Sequence, residues 1–331
     1  MTALPASAAP SASAIRRGRL HRHAWPQRPF VETAELDAHM VRHDASPEAR
    51  SFAHELAETG LARLDLGDAG RALCDAVVAD TDPVFADGDV YRIQDAWLRY
   101  DSVRKLATLP EVTDLLSMVY GRPAFPFQTL NFKRGSQQGL HSDAMHFHAE
   151  PPLFMCGVWI ALEDVAPDAG PLTYVPGSHK LPVLTMRAAG CDKAKPTSAD
   201  YEAIYGPALA ARLKASGLPQ AEILPKKGEA VIWAANLAHG GAPILDPDAT
   251  RRSLVVHFYF ADCLYYTPVH SDVEGGRLAV RLPTNVATGG WAWPSREGRP
   301  AAPQVTAFLG ACRKLVARQP LITRISARTT S

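Results

Sequence analysis

The chain is predicted to be a mainly β protein with flanking α-helices, a sandwich or barrel in class. Three observations predict this. Short apolar runs beyond residue 120 are separated by turns rich in Pro and Gly. Helical spacing is concentrated in the front third, and no internal repeat is present, which sets aside propellers and solenoids. The 27 prolines fall mostly between the expected elements, as suits a loop-rich β architecture.

Residues 1–30 open with an Ala/Ser/Pro tract and carry Arg16, Arg17, Arg19, Arg22 and Arg28 without one acidic residue. No apolar stretch follows the start, so a secretory signal is not indicated. The segment reads as a disordered basic tail in preference to a transit peptide. Ordered structure is expected from near Phe30, as a single domain over 31–331. Its front part, 31–120, should be mostly helical. A β core spans 121–260 with a helical insertion at 183–220, and 261–331 forms a C-terminal cap.

Within the front part, Ser46-Pro47-Glu48 is an N-cap, a proline at the first helical position and an acid in the first turn. Phe52, Leu56 and Ala57 repeat at helical spacing, and Gly60 is placed to end the helix. Ala62–Leu66 alternates as a half-buried strand does. Further helices are expected over Ala69–Ala79 and Pro110–Tyr120, the second closed by Gly121. Strands follow at Phe125–Lys133, Leu153–Leu162, Leu172–Val175, Glu222–Leu224, Ala230–Ala234 and Leu254–Phe260, with a helix over Ala199–Ser216 between them.

The bulk numbers exclude several function classes. Hydrophobic residues make up 47% and charged residues 21%, ordinary values for a globular protein. A formal net charge of +1 gives no global field for nucleic acid or an anionic membrane. No run approaches the roughly 20 apolar residues needed to span a bilayer. Five cysteines, Cys74, Cys156, Cys191, Cys263 and Cys312, are scattered without a C-x-x-C. That pattern argues against a disulfide framework or zinc ribbon and for a reducing cytoplasm. The oligomeric state is open.

The chemistry concentrates in His141-Ser142-Asp143, followed much later by His239 and Arg251. Two imidazoles and a carboxylate can hold Fe(II) on one face and leave the opposite face open. The pair alone is weak evidence, since composition predicts about one His-x-Asp by chance. The chain has a second at His270-Ser271-Asp272, and His148-Ala149-Glu150 is a variant. No histidine follows His270/Asp272, which reads as a surface turn. His239 precedes Gly240 and Gly241, where backbone can approach closely. Strand alternation places Arg251, Ser253, Val255 and His257 on one face and Arg252, Leu254, Val256 and Phe258 on the other. One arginine therefore points inward, suited to fork onto the free carboxylate of a metal-bound 2-oxo acid.

Several phrases then occur in a fixed order. Asn131-Phe132-Lys133 and His141-Ser142-Asp143 are followed by Trp159 to Asp164, Gly170-Pro171-Leu172 and Pro176-Gly177-Ser178-His179. His239-Gly240 comes next, and then Arg251 leading into Val256-His257-Phe258. Over roughly residues 100 to 260 the chain resembles the phytanoyl-CoA dioxygenase family of Fe(II)/2-oxoglutarate-dependent oxygenases.

The resemblance implies a double-stranded β-helix (jelly-roll, cupin-like) core. It implies that His141, Asp143 and His239 hold iron and that Arg251, rather than Arg252, binds the distal carboxylate of 2-oxoglutarate. Asn131, Gln128 and Lys133 would line the co-substrate pocket. His146, His148 and Trp159 are candidates to touch substrate, against solvated or core roles. Trp233, Trp291 and Trp293 are aromatic candidates for the same walls, with core packing preferred for Trp233. The family often carries a hydroxyl two residues after the distal His, where this chain has Gly241.

Halogenating relatives replace the carboxylate ligand, so Asp143 points to hydroxylation or a related desaturation or cyclisation. The implied cofactors are Fe(II), 2-oxoglutarate and O2, with succinate released. The competing readings are a cupin-like metalloenzyme that does not use 2-oxoglutarate and a non-catalytic, sensory β-helix protein.

Overall fold

The computed structural model describes residues 25–193, 195–302 and 320–324. The front part runs α1 (Leu36–Arg42), α2 (Pro47–Thr59), β1 (Leu61–Asp65), α3 (Gly67–Phe85), β2 (Val90–Gln94), α4 (Asp101–Ala107) and α5 (Pro110–Tyr120). Then come β3 (Ala124–Phe132), β4 (His148–Glu150), β5 (Met155–Ala161) and β6 (Leu172–Tyr174). The insertion is α6 (Ser198–Asp200), a π-helical turn (Tyr201–Tyr205) and α7 (Gly206–Ser216). β7 (Ala221–Ile223), β8 (Glu229–Ala234), β9 (His239–Gly241) and β10 (Ser253–Phe260) complete the core. β11 (Leu264–Tyr266), β12 (Ser295–Arg296), β13 (Arg299–Pro300) and β14 (Leu321–Arg324) belong to the C-terminal part.

Local chemistry explains the well-anticipated elements. Ser46 Oγ accepts the Ala49 N–H at 3.2 Å, and Gly60 ends α2 with φ +82°. Gly121 ends α5 in the same left-handed way. α3 outruns its expected end at Ala79. It passes through Pro83, which leaves the Ala79 carbonyl without its helical donor, and ends just beyond at the buried Phe85. The start of order also differs. Trp25 and Pro26 are already fixed, with Arg122 donating from Nε and Nη2 to the Pro26 carbonyl and lying over the Trp25 ring. Residues 1–24, the bulk of the expected tail, lie outside the described residues.

Seven antiparallel strands form the large sheet in the order β1-β8-β5-β10-β3-β2-β14. A second sheet, β7-β6-β9, faces it. One side of the large sheet, carrying Leu254, Val256 and Phe258, packs on the front helices through Phe52, Leu56, Val77 and Leu116. The other side presents Trp159, Val231, Trp233 and Val255 to Leu172, Tyr174 and Ala221 of the small sheet. Two facing sheets assembled from strands distant in sequence make the double-stranded β-helix, and the functional residues lie between them. The insertion packs separately, Tyr205, Leu209 and Leu213 against Val175 and Ala238. Among the described residues no helix is long and apolar enough to cross a membrane.

Cys74, Cys156, Cys191 and Cys263 are buried free thiols, and Cys312 lies outside the described residues. Three buried histidines are structural. His39 Nε2 is 2.7 Å from the Met118 carbonyl, His179 Nε2 is 3.2 Å from Ala57 O, and His148 Nδ1 accepts its neighbour's N–H at 2.9 Å. Burial lowers each of them to about 4. With the ordinary value at 6.5, the unfolded chain binds more protons between about pH 6.5 and 4, so acid in that window favours unfolding. His148 alone is expected to cost up to about 3 kcal/mol by pH 4. Urea midpoints should therefore fall steadily from pH 7.5 to pH 5, and unchanged midpoints would show that these imidazoles protonate freely in the fold.

Candidate metal centre and its cavity

His141 and His239 face each other across a short backbone bridge. The His141 N–H donates to His239 O at 2.9 Å, and the His239 N–H returns to His141 O at 3.0 Å. Such an approach requires Gly240, where a Cβ would sit 2.6 Å from the Gln138 carbonyl oxygen. Asp143 opens a short 3-10 turn that tips its carboxylate back toward both rings. His141 Nε2 lies 3.9 Å from Asp143 Oδ1, and His239 Nε2 lies 3.8 Å from Oδ2. The three ligand atoms lie within 4.8 Å of one another.

Each imidazole is oriented by its other nitrogen. His141 Nδ1 is 3.0 Å from Gly139 O, and His239 Nδ1 is 3.0 Å from Leu237 O. A carbonyl can only accept, so both Nδ1 atoms carry the proton and both Nε2 lone pairs are bare toward Asp143. Burial, with His141 alongside, lowers His239 to about 4 and keeps it neutral at neutral pH. Burial by itself would raise Asp143, but His239, His257, His141 and the Trp233 indole outweigh it and hold the carboxyl down to about 2. A neutral His239 beside an ionised Asp143 has the protonation state that metal binding requires.

Two further residues complete the surroundings of Asp143. Trp233 Nε1 donates to Asp143 Oδ2 at 2.8 Å. Its indole crosses strand β5 at Gly157, where a Cβ would meet the ring at 2.3 Å, so the contact depends on the absence of a side chain there. His257 Nε2 lies 3.6 Å from Asp143 Oδ2, while its Nδ1 is 3.1 Å from Gln128 Oε1. Neither residue was anticipated as a neighbour of Asp143, Trp233 having been read as core packing in preference to a pocket wall. Alternation had placed His257 on the Arg251 face. What the sequence did not show was how near that face would lie to Asp143, because the two come from separate loops and strands.

The group opens into a cavity of about 360 Å³. Arg251 lies in its wall, buried, with Nη1 donating to Gly170 O at 2.6 Å and the guanidinium 5.5 Å from the centre of the Trp159 ring. Its Nε is buried without a partner. Burial lowers Arg251 to about 10, which leaves it cationic at neutral pH. Arg252 points the other way, donating to Asp82 and Glu163 at 2.8 Å each.

Gln128, His146 and Trp159 line the cavity. Three expectations require correction. Asn131 does not line the cavity, because Gln128, Leu130 and Phe132 do and alternation turns Asn131 toward the helices. Lys133 contributes its backbone carbonyl to the Arg251 N–H at 2.9 Å, and its side chain is not in the wall. His148 stacks on Tyr266 beneath the β4–β11 ribbon, away from the cavity. Trp291 and Trp293 are partly exposed and also lie outside it.

The other His-x-Asp pair is separate from the centre. Asp272 pairs with Arg277 and Arg187 in a turn, and His270 Nδ1 is 3.4 Å from Pro196 O. Ser136 places a hydroxyl next to Gly241. A Cβ at 241 would lie 3.0 Å from Ser136 Oγ, and Ser136 lines the cavity.

Comparison with known proteins gives a consistent picture. Residues 65–253 match the sequence profile of the family described as phytanoyl-CoA dioxygenase. A probable phytanoyl-CoA dioxygenase of Caenorhabditis elegans is 23% identical over 179 residues, 50% of this chain and 53% of the relative. The peroxisomal phytanoyl-CoA dioxygenase of Homo sapiens is 24% identical over 182 residues, 52% of this chain and 48% of the relative. The match thus spans about half the length of these curated relatives. Among solved structures, the non-heme alpha ketoglutarate dependent carbocyclase SnoK from nogalamycin biosynthesis aligns with a TM-score of 0.51 at 19% identity, covering 70% of this chain and 90% of that one. The epimerase SnoN, in complex with Fe3+, alpha ketoglutarate and nogalamycin RO, gives 0.51 at 20% identity, covering 77% and 96%. At these identities the two structures support the fold.

Proposed function

The chain belongs to the phytanoyl-CoA dioxygenase family, and from that premise we propose that it is an Fe(II)/2-oxoglutarate-dependent dioxygenase that hydroxylates an unactivated C–H bond of a small molecule. The residues present fit the cofactors Fe(II), 2-oxoglutarate and O2. One observation carries the reading. Two Nε2 lone pairs and one carboxylate converge on a cavity that also holds a buried arginine whose Nε has no partner.

His141, Asp143 and His239 would hold Fe(II), three protein ligands leaving the open positions such chemistry needs. Arg251, steadied on Gly170 O and over Trp159, would take the distal carboxylate of 2-oxoglutarate, with Ser136 Oγ beside Gly241 supplying a hydroxyl. Gln128 would orient His257, and Trp233 holds Asp143 in place. When bound, iron and 2-oxoglutarate supply the oxidation of the C–H bond with release of succinate and CO2; the protein supplies position, neutralised charge and exclusion of water. An intact Asp143 leaves no ligand position for chloride, which favours oxygen insertion over halogenation. Separate buried thiols fit a reducing compartment such as the cytoplasm.

The test is direct. Purified protein with Fe(II), ascorbate and 2-oxoglutarate should release succinate, and a mass-spectrometric screen of small molecules should show a gain of one oxygen. Absence of any change in the anaerobic Fe(II) spectrum on adding 2-oxoglutarate would sink the co-substrate assignment.

A further inference from the structure

The helical insertion meets the metal-bearing segment at Tyr201. This residue opens the π-helical turn, and its ring centre is 4.7 Å from that of His146, the planes 54° apart. His146 follows the 3-10 turn that begins at Asp143, and its N–H donates to the Asp143 carbonyl at 2.9 Å. The imidazole lines the cavity. Tyr201 also stacks on Tyr205 at 5.0 Å, and both pack with Met145 and Leu209 in the insertion's own apolar cluster. A capping box between Thr197 and Asp200 fixes the start of the insertion. Single π-turns are rare and frequent at functional sites.

Packing alone does not account for the pair. Among the described residues neither His146 ring nitrogen nor the Tyr201 hydroxyl has a hydrogen-bond partner, and none of these atoms is sealed from solvent. The Asp143 carboxylate acts on both side chains, which sets their polar atoms toward the metal side. Charge narrows what they can hold. Burial lowers His146 to about 4, and burial with Asp143 pushes the Tyr201 phenol up to about 12. At neutral pH the two offer N–H and O–H donors and acceptor lone pairs, but no charge. Arg281, a cation that also acts on His146, lies over the Phe147 ring, donates to Thr267 Oγ1 at 2.9 Å and does not line the cavity. A charged group buried between His146 and Tyr201 would lack a counter-ion, which is costly. A hydroxyl or carbonyl would be satisfied. The nearby faces of Phe147 and Trp233 suit a ring.

Position separates this end of the cavity from the co-substrate arginine. The Phe147 ring centre is 4.9 Å from that of His257. His257 and Arg251 are six residues apart, and extended chain of that length spans about 20 Å. A 2-oxoglutarate reaching from the metal centre to Arg251 would therefore run away from His146.

We infer that His146 and Tyr201 together grip an uncharged oxygen group, a hydroxyl or carbonyl, on a cyclic substrate, and so set which C–H bond meets the metal centre. This rests on the proposed function, since the molecule gripped is taken to be the one that is oxidised.

Equilibrium dialysis of the full chain loaded with Ni(II) and 2-oxoglutarate tests it, with 2-naphthol, naphthalene and 2-naphthoate as probes. Two hydrogen bonds to neutral partners should make 2-naphthol bind at least about 10-fold more tightly than naphthalene, and the anion should bind more weakly than 2-naphthol. Tyr201→Phe keeps the ring and removes only the hydroxyl, and it should cut that preference at least about 3-fold. His146→Phe should do the same, and His146→Gln should retain part of the preference. Naphthalene and 2-oxoglutarate affinities should stay nearly unchanged in all three variants. A preference for 2-naphthol that survives both Phe substitutions overturns the proposal. Naphthalene or 2-naphthoate binding to the unaltered protein as tightly as 2-naphthol overturns it too, as does no binding of any probe, and neither result needs a variant. If the unaltered protein binds no 2-oxoglutarate, the functional reading fails, while the same titrations on the metal-free protein still decide the role of the pair.

Discussion

Replacing His239 with Ala is expected to lower Fe(II) affinity by more than about 100-fold, beyond the range for losing a mere supporting partner of a metal ligand, and to remove succinate release with it. The imidazole is buried, its Nδ1 proton is committed to Leu237 O, and its Nε2 lies 3.8 Å from Asp143 Oδ2. The backbone bridge to His141 does not involve the side chain, so the variant should fold and the loss should be specific. Equilibrium dialysis of Fe(II) or Mn(II) reads affinity, and thermal melting reads folding. Unchanged metal affinity in a folded His239→Ala protein would place the centre elsewhere.

The second large effect concerns Arg251. Arg251→Gln keeps a donor near Gly170 O but removes the cation. A charge left unpaired in a buried site costs about 3 kcal/mol, so the Kd for 2-oxoglutarate should rise about 100-fold with Fe(II) affinity unchanged. The neighbouring substitution is the control. Arg252→Gln breaks the fork onto Asp82 and Glu163. It should lower stability by about 1 kcal/mol, partly exposed pairs being screened, and leave the co-substrate Kd alone. An anaerobic titration of the Fe(II) complex separates the two. Equal effects of both substitutions would mean that the inward and outward assignments of these residues are wrong.

Legibility in the sequence followed the range of the interactions. The cap at Ser46, the stops at Gly60 and Gly121 and most core strands are written in a few neighbouring residues, and they appear where expected. The grouping of His141, Asp143 and His239 and the inward face of Arg251 were legible through the order of several short phrases. Asn131 failed because motif position says nothing of which way a strand faces, and β3 turns Gln128 and Leu130 inward. Strand β14 pairs with β2 across more than two hundred residues and leaves no local trace. The Gly157–Trp233–Asp143 contact joins three segments, so neither the glycine nor the tryptophan could be recognised from its own neighbours.

The two adjacent arginines at the head of β10 also have a consequence for how the protein reaches its working form. Sliding β10 by one position would reverse every side chain on it, burying Arg252 and stranding Arg251 outside, away from the cavity it lines. In the observed register Arg252 locks onto α3 through Asp82 and onto the turn after β5 through Glu163. That outward clamp therefore acts as a proofreader of strand alignment. A chain that has closed it has already set the inward arginine on the cavity side of the sheet, and with it His257 beside Asp143.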